Sequence, residues 1–290
     1  MFDQSDIRIS KKLHEDIERH FSSVGILHRV FSRVKTGPSL NSKIKRGQGK
    51  YGKDKKIQDL FGVRVVLYFH DDIDIAQNLL KNNYKHDEKS STIDLRPNEL
   101  FSATRHNLIF KLPEEDAEQS LTIINNDLID NTFEVQLRTV LSEGWHEVEH
   151  DLRYKCKEDW EGHDDLNRAL NGIFASLESS EWSMMKLFEE LSYRHYKSNE
   201  WAQMLRTKFR LRAGNDLSVQ INEILSNEPD VAKKLFRVTR EKLINKLLHA
   251  KIVLPINLDN LIYVLNYFYV KSESISDITP TPILDALETV

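Results

Sequence analysis

The hydrophobic period changes at Arg138, and no other feature of the sequence restricts the fold as much. Upstream lie FGVRVVLYF (61–69), ATRHNLIFKL (103–112) and NTFEVQLRT (131–139), runs rich in β-branched and aromatic residues that read as strands, with LTIINNDLI (121–129) as a further strand. Downstream, the segment with Trp145, His146, His150 and Tyr154 reads as a helix. Leu166, Leu170, Ile173, Phe174, Leu177 and Leu187 then recur at helical spacing, which predicts a long helix over about 164–194. From 199 onward short helical segments are expected, broken at 213–215 and 227–229, with a polar, proline-broken tail (272–290) whose first half is read as mobile. Before the first strand, Leu13, Ile17, Phe21, Val24, Leu27, Val30 and Phe31 predict one or two amphipathic helices ended by Gly37 and Pro38, and 72–82 reads as a short helix. The fold class is therefore α+β: a mixed β-sheet flanked by helices, followed by an all-helical C-terminal region.

A chain of 290 residues with 40% hydrophobic composition buries one substantial core and a smaller appendage. No apolar run approaches the roughly 18 residues of a membrane helix, and the start MFDQSDIRISKK has no apolar signal core, so a soluble cytoplasmic protein is expected. The single cysteine, Cys156, excludes an internal disulfide. The net charge of −4 conceals a basic window: Arg29, Arg33, Lys35, Lys43, Lys45, Arg46, Lys50, Lys53, Lys55 and Lys56 against Asp54 alone. Such a window is either a solvated face or a seat for phosphates.

Strand side chains alternate, so FEVQLRT turns Glu134, Gln136 and Arg138 to one side and Val135 and Leu137 to the other. Three polar groups in register face either solvent or a ligand. Asp59 precedes the strand that carries Arg64; paired with Glu134, it makes an oxygen-only donor set suited to Mg2+. Arg33, Lys35, Ser39 and Lys43 lie at a loop-to-helix junction, where cations and a helix start suit a triphosphate.

The order SRVKTGPSLNSKIKR, IQDLFGVRVV, FEVQLRT and GWHEVEHDLRYK resembles the synthetase domain of the RelA/SpoT alarmone enzymes over about residues 25–155. The resemblance implies a nucleotidyltransferase-like domain over 1–160, a long helix packing on it over 161–198, and a helical region of unassigned role over 199–290. It implies Mg2+-dependent transfer of pyrophosphate from ATP to a nucleotide 3′-hydroxyl. Asp59 and Glu134 would be the catalytic and metal-binding carboxylates, with Glu134 the candidate base. ATP would be held by Arg33 and Arg64 at the adenine, by Lys35, Ser39 and Lys43 at the phosphates, and by Gln136 and Arg138 in the same cleft. The acceptor would meet Asn98, Phe101, His106, His150, Tyr154 and Lys155.

The sequence departs from the family in RPNELFSATRHNLIF: the tyrosine that stacks on the acceptor guanine falls at Ser102, with Phe101 beside it. A guanine nucleotide is the expected acceptor; an adenine nucleotide or a tRNA 3′ end, as for the toxic small members, is the alternative. A remoter reading takes His146-Glu147-Val148-Glu149-His150 as the HExxH of a zinc hydrolase, although Glu149 puts a charge where that helix usually buries an uncharged residue. WAQMLRTKFRLR (201–212) reads as a packed helix with a solvated face, with RNA contact or self-association as a homo-oligomer the competing readings for the C-terminal region.

Overall fold

The computed structural model describes residues 4–47, 49–52, 55–94, 106–214, 216–249 and 254–289. Helix α1 (Gln4–Ser23) buries Leu13, Ile17 and Phe21 as its 3.6-residue spacing requires. It does not continue into Val30 and Phe31. Gly25, at φ +71°, ends the helical course, and HRVFSRV, with its β-branched residues, forms strand β1 (His28–Val34) instead. Gly37 and Pro38 begin a helix rather than ending one: Thr36 accepts a hydrogen bond from the Ser39 amide, and Pro38 occupies the first turn of α2 (Gly37–Arg46), where its missing N–H costs nothing.

Strand β2 (Phe61–Leu67), helix α3 (Asp72–Asn83) and strands β3 (His86–Ile93) and β4 (His106–Lys111) follow. After them come two short turns of helix, α4 (Glu114–Ala117) and α5 (Leu121–Ile124), and strand β5 (Thr132–Thr139). The sheet order is β1-β2-β5-β4-β3, with β2 and β5 parallel and the other neighbours antiparallel. This is the mixed, helix-flanked sheet expected. Two of its details differ from expectation. LTIINNDLI is not a strand, because the Ser120 hydroxyl caps the Ile123 amide and starts α5. The polar edge strand β3, HDEKSSTI, has no alternation of apolar residues to reveal it and carries a register shift between Asp87 and Thr92.

The core face of the sheet is set by alternation. Val63, Val65, Leu108, Phe110, Phe133 and Val135 are buried, and the Phe110 and Phe133 rings stack at 5.6 Å with Tyr84 edge-on to Phe133. Each such side chain contributes about 1.5–3 kcal/mol. The opposite face carries Phe31, Arg33, Gly62, Arg64, Glu134 and Gln136, because paired residues share a face: Phe31 opposes Arg64, Arg33 opposes Gly62, Gly62 opposes Glu134 and Arg64 opposes Gln136.

Helix α6 (Val140–Glu149) starts directly after β5 through a capping box between Thr139 and Ser142, and its last turn gives way to a π-helical turn at His150–Tyr154. Helix α7 (Asp164–Lys197) is the long helix the periodicity predicts. The chain divides into two compact units, Met1–Arg19 with His28–Ser180, and His20–Leu27 with Glu181–Val290. The second unit holds α8 (Trp201–Phe209), α9 (Val219–Asn227), α10 (Pro229–Arg237), α11 (Arg240–His249), α12 (Leu258–Leu265), α13 (Glu273–Asp277) and α14 (Thr281–Glu288) around a core of Met204, Ile221, Leu225, Leu235, Ile244 and Ile262. Its tail is helical where mobility was expected: the Ser272 hydroxyl caps α13, and Ile275 and Leu287 are buried. No helix among the described residues is long and apolar enough to cross a membrane.

Candidate active site

The polar face of the sheet borders a cleft of about 360 Å³, which Phe31, Arg33, Gly62, Arg64, Glu134 and Gln136 line together with Glu143 and Glu147 of α6. The strand register delivers the first six and the helix start after β5 delivers the last two. Gly62 leaves room for its neighbour: a Cβ there would lie 3.6 Å from Cγ and Nε of Arg33, so the arginine stem rests over bare backbone.

Two ion-pair clusters belong to this region. In the first, Asp59, just before β2, accepts from Lys35 Nζ at one oxygen and from Lys43 Nζ, at 2.7 Å, at the other. Burial pushes the Asp59 carboxyl up, but the two lysine hydrogen bonds and charges outweigh it and hold the group below the usual carboxylate range. For Lys35 burial wins and lowers the pKa despite the bond to Asp59. For Lys43 burial also pulls down, but the bond to Asp59, with the charges of Asp59 and Glu134, raises it overall. Lys43 thus lies within electrostatic reach of both candidate carboxylates. Glu134 itself accepts from Asn107 Nδ2 at 3.0 Å and from Gln136 Nε2 at 2.9 Å.

In the second cluster, Arg64 Nη1 donates to both Glu143 and Glu147, and Arg138 Nε lies 3.5 Å from the far oxygen of Glu143. Burial, together with the Arg64 charge, lowers the Arg138 pKa. Burial, with the Arg138 and Arg64 charges, pulls the His146 imidazole down to about 3, so it is neutral at ordinary pH. Arg33, across the cleft, is exposed and has no hydrogen-bond or ion-pair partner among the described residues.

The expected residues are therefore placed as follows. Arg33, Arg64, Glu134 and Gln136 meet at the cleft, and Lys35, Lys43 and Asp59 form one cluster. Ser39 is in the first turn of α2, exposed, with its hydroxyl 2.8 Å from that of Thr36. His106 begins β4. His150, Tyr154 and Lys155 join one another on the π-helical turn: the His150 and Tyr154 rings stack at 5.8 Å, and Asp151 takes both His150 Nδ1 and Lys155 Nζ. None of these three lines the cleft. Asn98 and Phe101 lie outside the described residues, as does Ser102. Glu143 and Asn107 are not among the expected residues, and Glu147, expected only in the HExxH reading, lines the cleft instead. The spacing of Glu143 and Glu147, one helical turn apart in EGWHE, is the signal that would have found the pair. Phe31, expected on a helix, is instead a cleft wall that is 53% exposed.

Asp59 and Glu134 supply the hard oxygen donors that Mg2+ takes, and no group of three or more His, Cys, Asp or Glu among the described residues is gathered to hold a metal ion. The same residues fit zinc poorly at 146–150, since His146 is buried beside two guanidinium groups and His150 is turned to Asp151.

Residues 32–159 match the model of the region found in RelA / SpoT proteins. Among solved structures, the chain is similar to the small alarmone synthetase 1 from Bacillus subtilis (19% identity, TM-score 0.47, covering 63% of this chain and 92% of that one). The small alarmone synthetase 2 of the same organism gives 21%, 0.47, 63% and 95%, and a GTP pyrophosphokinase family protein from Streptococcus pneumoniae gives 20%, 0.42, 63% and 88%. No curated protein sequence matches.

Proposed function

We propose, for a chain whose residues 32–159 match the region found in RelA / SpoT proteins, that it transfers pyrophosphate from ATP to the 3′-hydroxyl of a nucleotide. The observation that carries this reading is the Asp59 cluster: one carboxylate held by two ammonium groups, one of which also feels Glu134. Two lysines converging on a single aspartate leave a cation to spare where triphosphate oxygens would lie.

In this reading the hydroxyl oxygen attacks the β-phosphorus in line. The bond from that phosphorus to the α–β bridging oxygen breaks, and AMP leaves with the electron pair. Glu134 takes the hydroxyl proton, and its hydrogen bonds from Asn107 and Gln136 fix the carboxylate in one orientation. Lys35 and Lys43 offset the charge that builds on the phosphate oxygens. Mg2+, held by Asp59 and Glu134 with the phosphates, would supply further charge stabilisation. Arg33 and Arg64 flank the donor base, with Phe31 adding an apolar wall.

A guanine nucleotide is the first candidate acceptor. Ser102, standing where the family has its stacking tyrosine, is the observation that favours testing adenine nucleotides and tRNA ends beside it. The test is incubation with γ-labelled ATP and, separately, GDP, GTP, ADP, unlabelled ATP and bulk tRNA, followed by separation of labelled products. Label in a guanosine product supports the first reading, label in an adenosine product or in tRNA replaces the acceptor, and label in none with ATP unchanged refutes the transfer.

A further inference from the structure

We propose that Glu147, acting with Glu143, makes Arg64 a platform for a base rather than a seat for a phosphate, and so fixes the direction in which a nucleotide enters the cleft. The inference rests on the donor reading above. An arginine in a cleft is by default a phosphate binder, because its planar fork matches phosphate oxygens and is always charged. Here one arm of that fork is occupied and its charge is offset. Arg64 Nη1 is already donating to two carboxylates, both on α6 and one turn apart. The pair also offsets the Arg64 charge, so that a phosphate gains less there than beside an unbalanced cation. The two ammonium groups at Asp59, by contrast, outnumber their carboxylate. Arg64, half-buried, lines the cleft with its charge balanced, and Phe31 lies opposite it in the strand register.

The carboxylates are held on rigid structure. The capping box of Thr139 and Ser142 fixes the start of α6, and Trp145, buried, donates to the Leu170 carbonyl at 2.9 Å. Arg64 is therefore ordered before any base arrives and pays less rotamer entropy on binding than Arg33, which has no such partner. Glu147 is the better probe of the pair. Its side chain is 53% exposed, against 17% for Glu143, and Glu143 also approaches Arg138.

The role is that of a positioning residue, and the test reads two ligands whose responses it drives apart. ATP affinity and the inhibition constant of inorganic tripolyphosphate are measured for wild type, Glu147→Ala and Glu147→Gln, each also in the Arg64→Ala background. In Glu147→Ala the affinity for ATP is expected to fall about fivefold, the scale of an exposed ion pair, while tripolyphosphate binds more tightly by a similar factor. Glu147→Gln, which keeps an acceptor for Arg64 but not the charge, should restore most of the ATP affinity and leave tripolyphosphate tight. Both effects should vanish when Arg64 is Ala. Unchanged affinities in a folded Glu147→Ala protein, or a parallel loss of both ligands, would overturn the proposal alone. Failure of the wild type to bind ATP would overturn the donor reading and the proposal with it.

Discussion

The ion-pair cluster at Asp59 and the one that lines the cleft at Arg64 use the same ingredients in opposite proportion. At Asp59 two ammonium groups share one carboxylate; at Arg64 two carboxylates share one half-buried guanidinium, with Arg138 close to one of them. The first cluster keeps cation to spare and suits phosphate oxygens. The second balances its charge and leaves a flat face, which suits a base. The type of a residue does not settle what it binds: Lys35 and Arg64 are both cations, and in the proposed reading their carboxylate neighbours assign them different halves of a nucleotide.

The comparison is broken most directly at the phosphate end. Lys43→Ala should cost about a hundred- to a thousandfold in kcat with ATP, because a cation aimed at developing charge is lost from the transition state. A change confined to KM would show that Lys43 only binds. At the base end the expected effect is smaller and of the other kind. Arg64→Ala should raise KM for ATP by roughly 1–2 kcal/mol with kcat near wild type, and an ATP dependence that does not change would make Arg64 structural.

A third outcome concerns stability and sharpens the account of the second cluster. His146 sits with its pKa lowered to about 3 by burial and by Arg138 and Arg64, whereas an unfolded histidine titrates near 6.5. Below that value the unfolded chain takes a proton the native protein refuses. Stability should thus fall by up to about 1.4 kcal/mol per pH unit as pH drops from 6.5 toward 3. Urea midpoints across this window should show a shallower slope in His146→Gln than in wild type. Equal slopes would mean that His146 is hydrated or paired when folded.

Much of the architecture was legible in the sequence because it follows from period. FGVRVVLYF and FEVQLRT gave buried strands, and the register then brought Arg64, Glu134 and Gln136 to one face as alternation requires. What was not legible depends on local chemistry that pattern alone does not carry. Gly25 with positive φ turned Val30 and Phe31 from a supposed helix into β1, and β3 is a polar edge strand with nothing to alternate. Ser120 and Ser272 each start a helix where a strand or a mobile tail was expected. In the site, the motif order pointed to Lys35, Lys43, Asp59 and Glu134, and the region 32–159 matches the family that order resembles. The role of Glu143 and Glu147 at the cleft is not carried by motif order, because it lies in a partner, Arg64, distant in sequence.

The central claim is that this chain moves a pyrophosphate group with Asp59 and Glu134 at the reacting phosphate. It is tested most directly by supplying ATP labelled at either the α or the γ position, with whichever acceptor the labelling assay identifies, to wild type and to Asp59→Asn and Glu134→Gln. The account predicts that wild type, with Mg2+, places γ label in the acceptor and α label in AMP in equal amounts. Both variants should remain folded and transfer neither. Transfer of γ label with release of ADP, or full transfer in either variant, would contradict it.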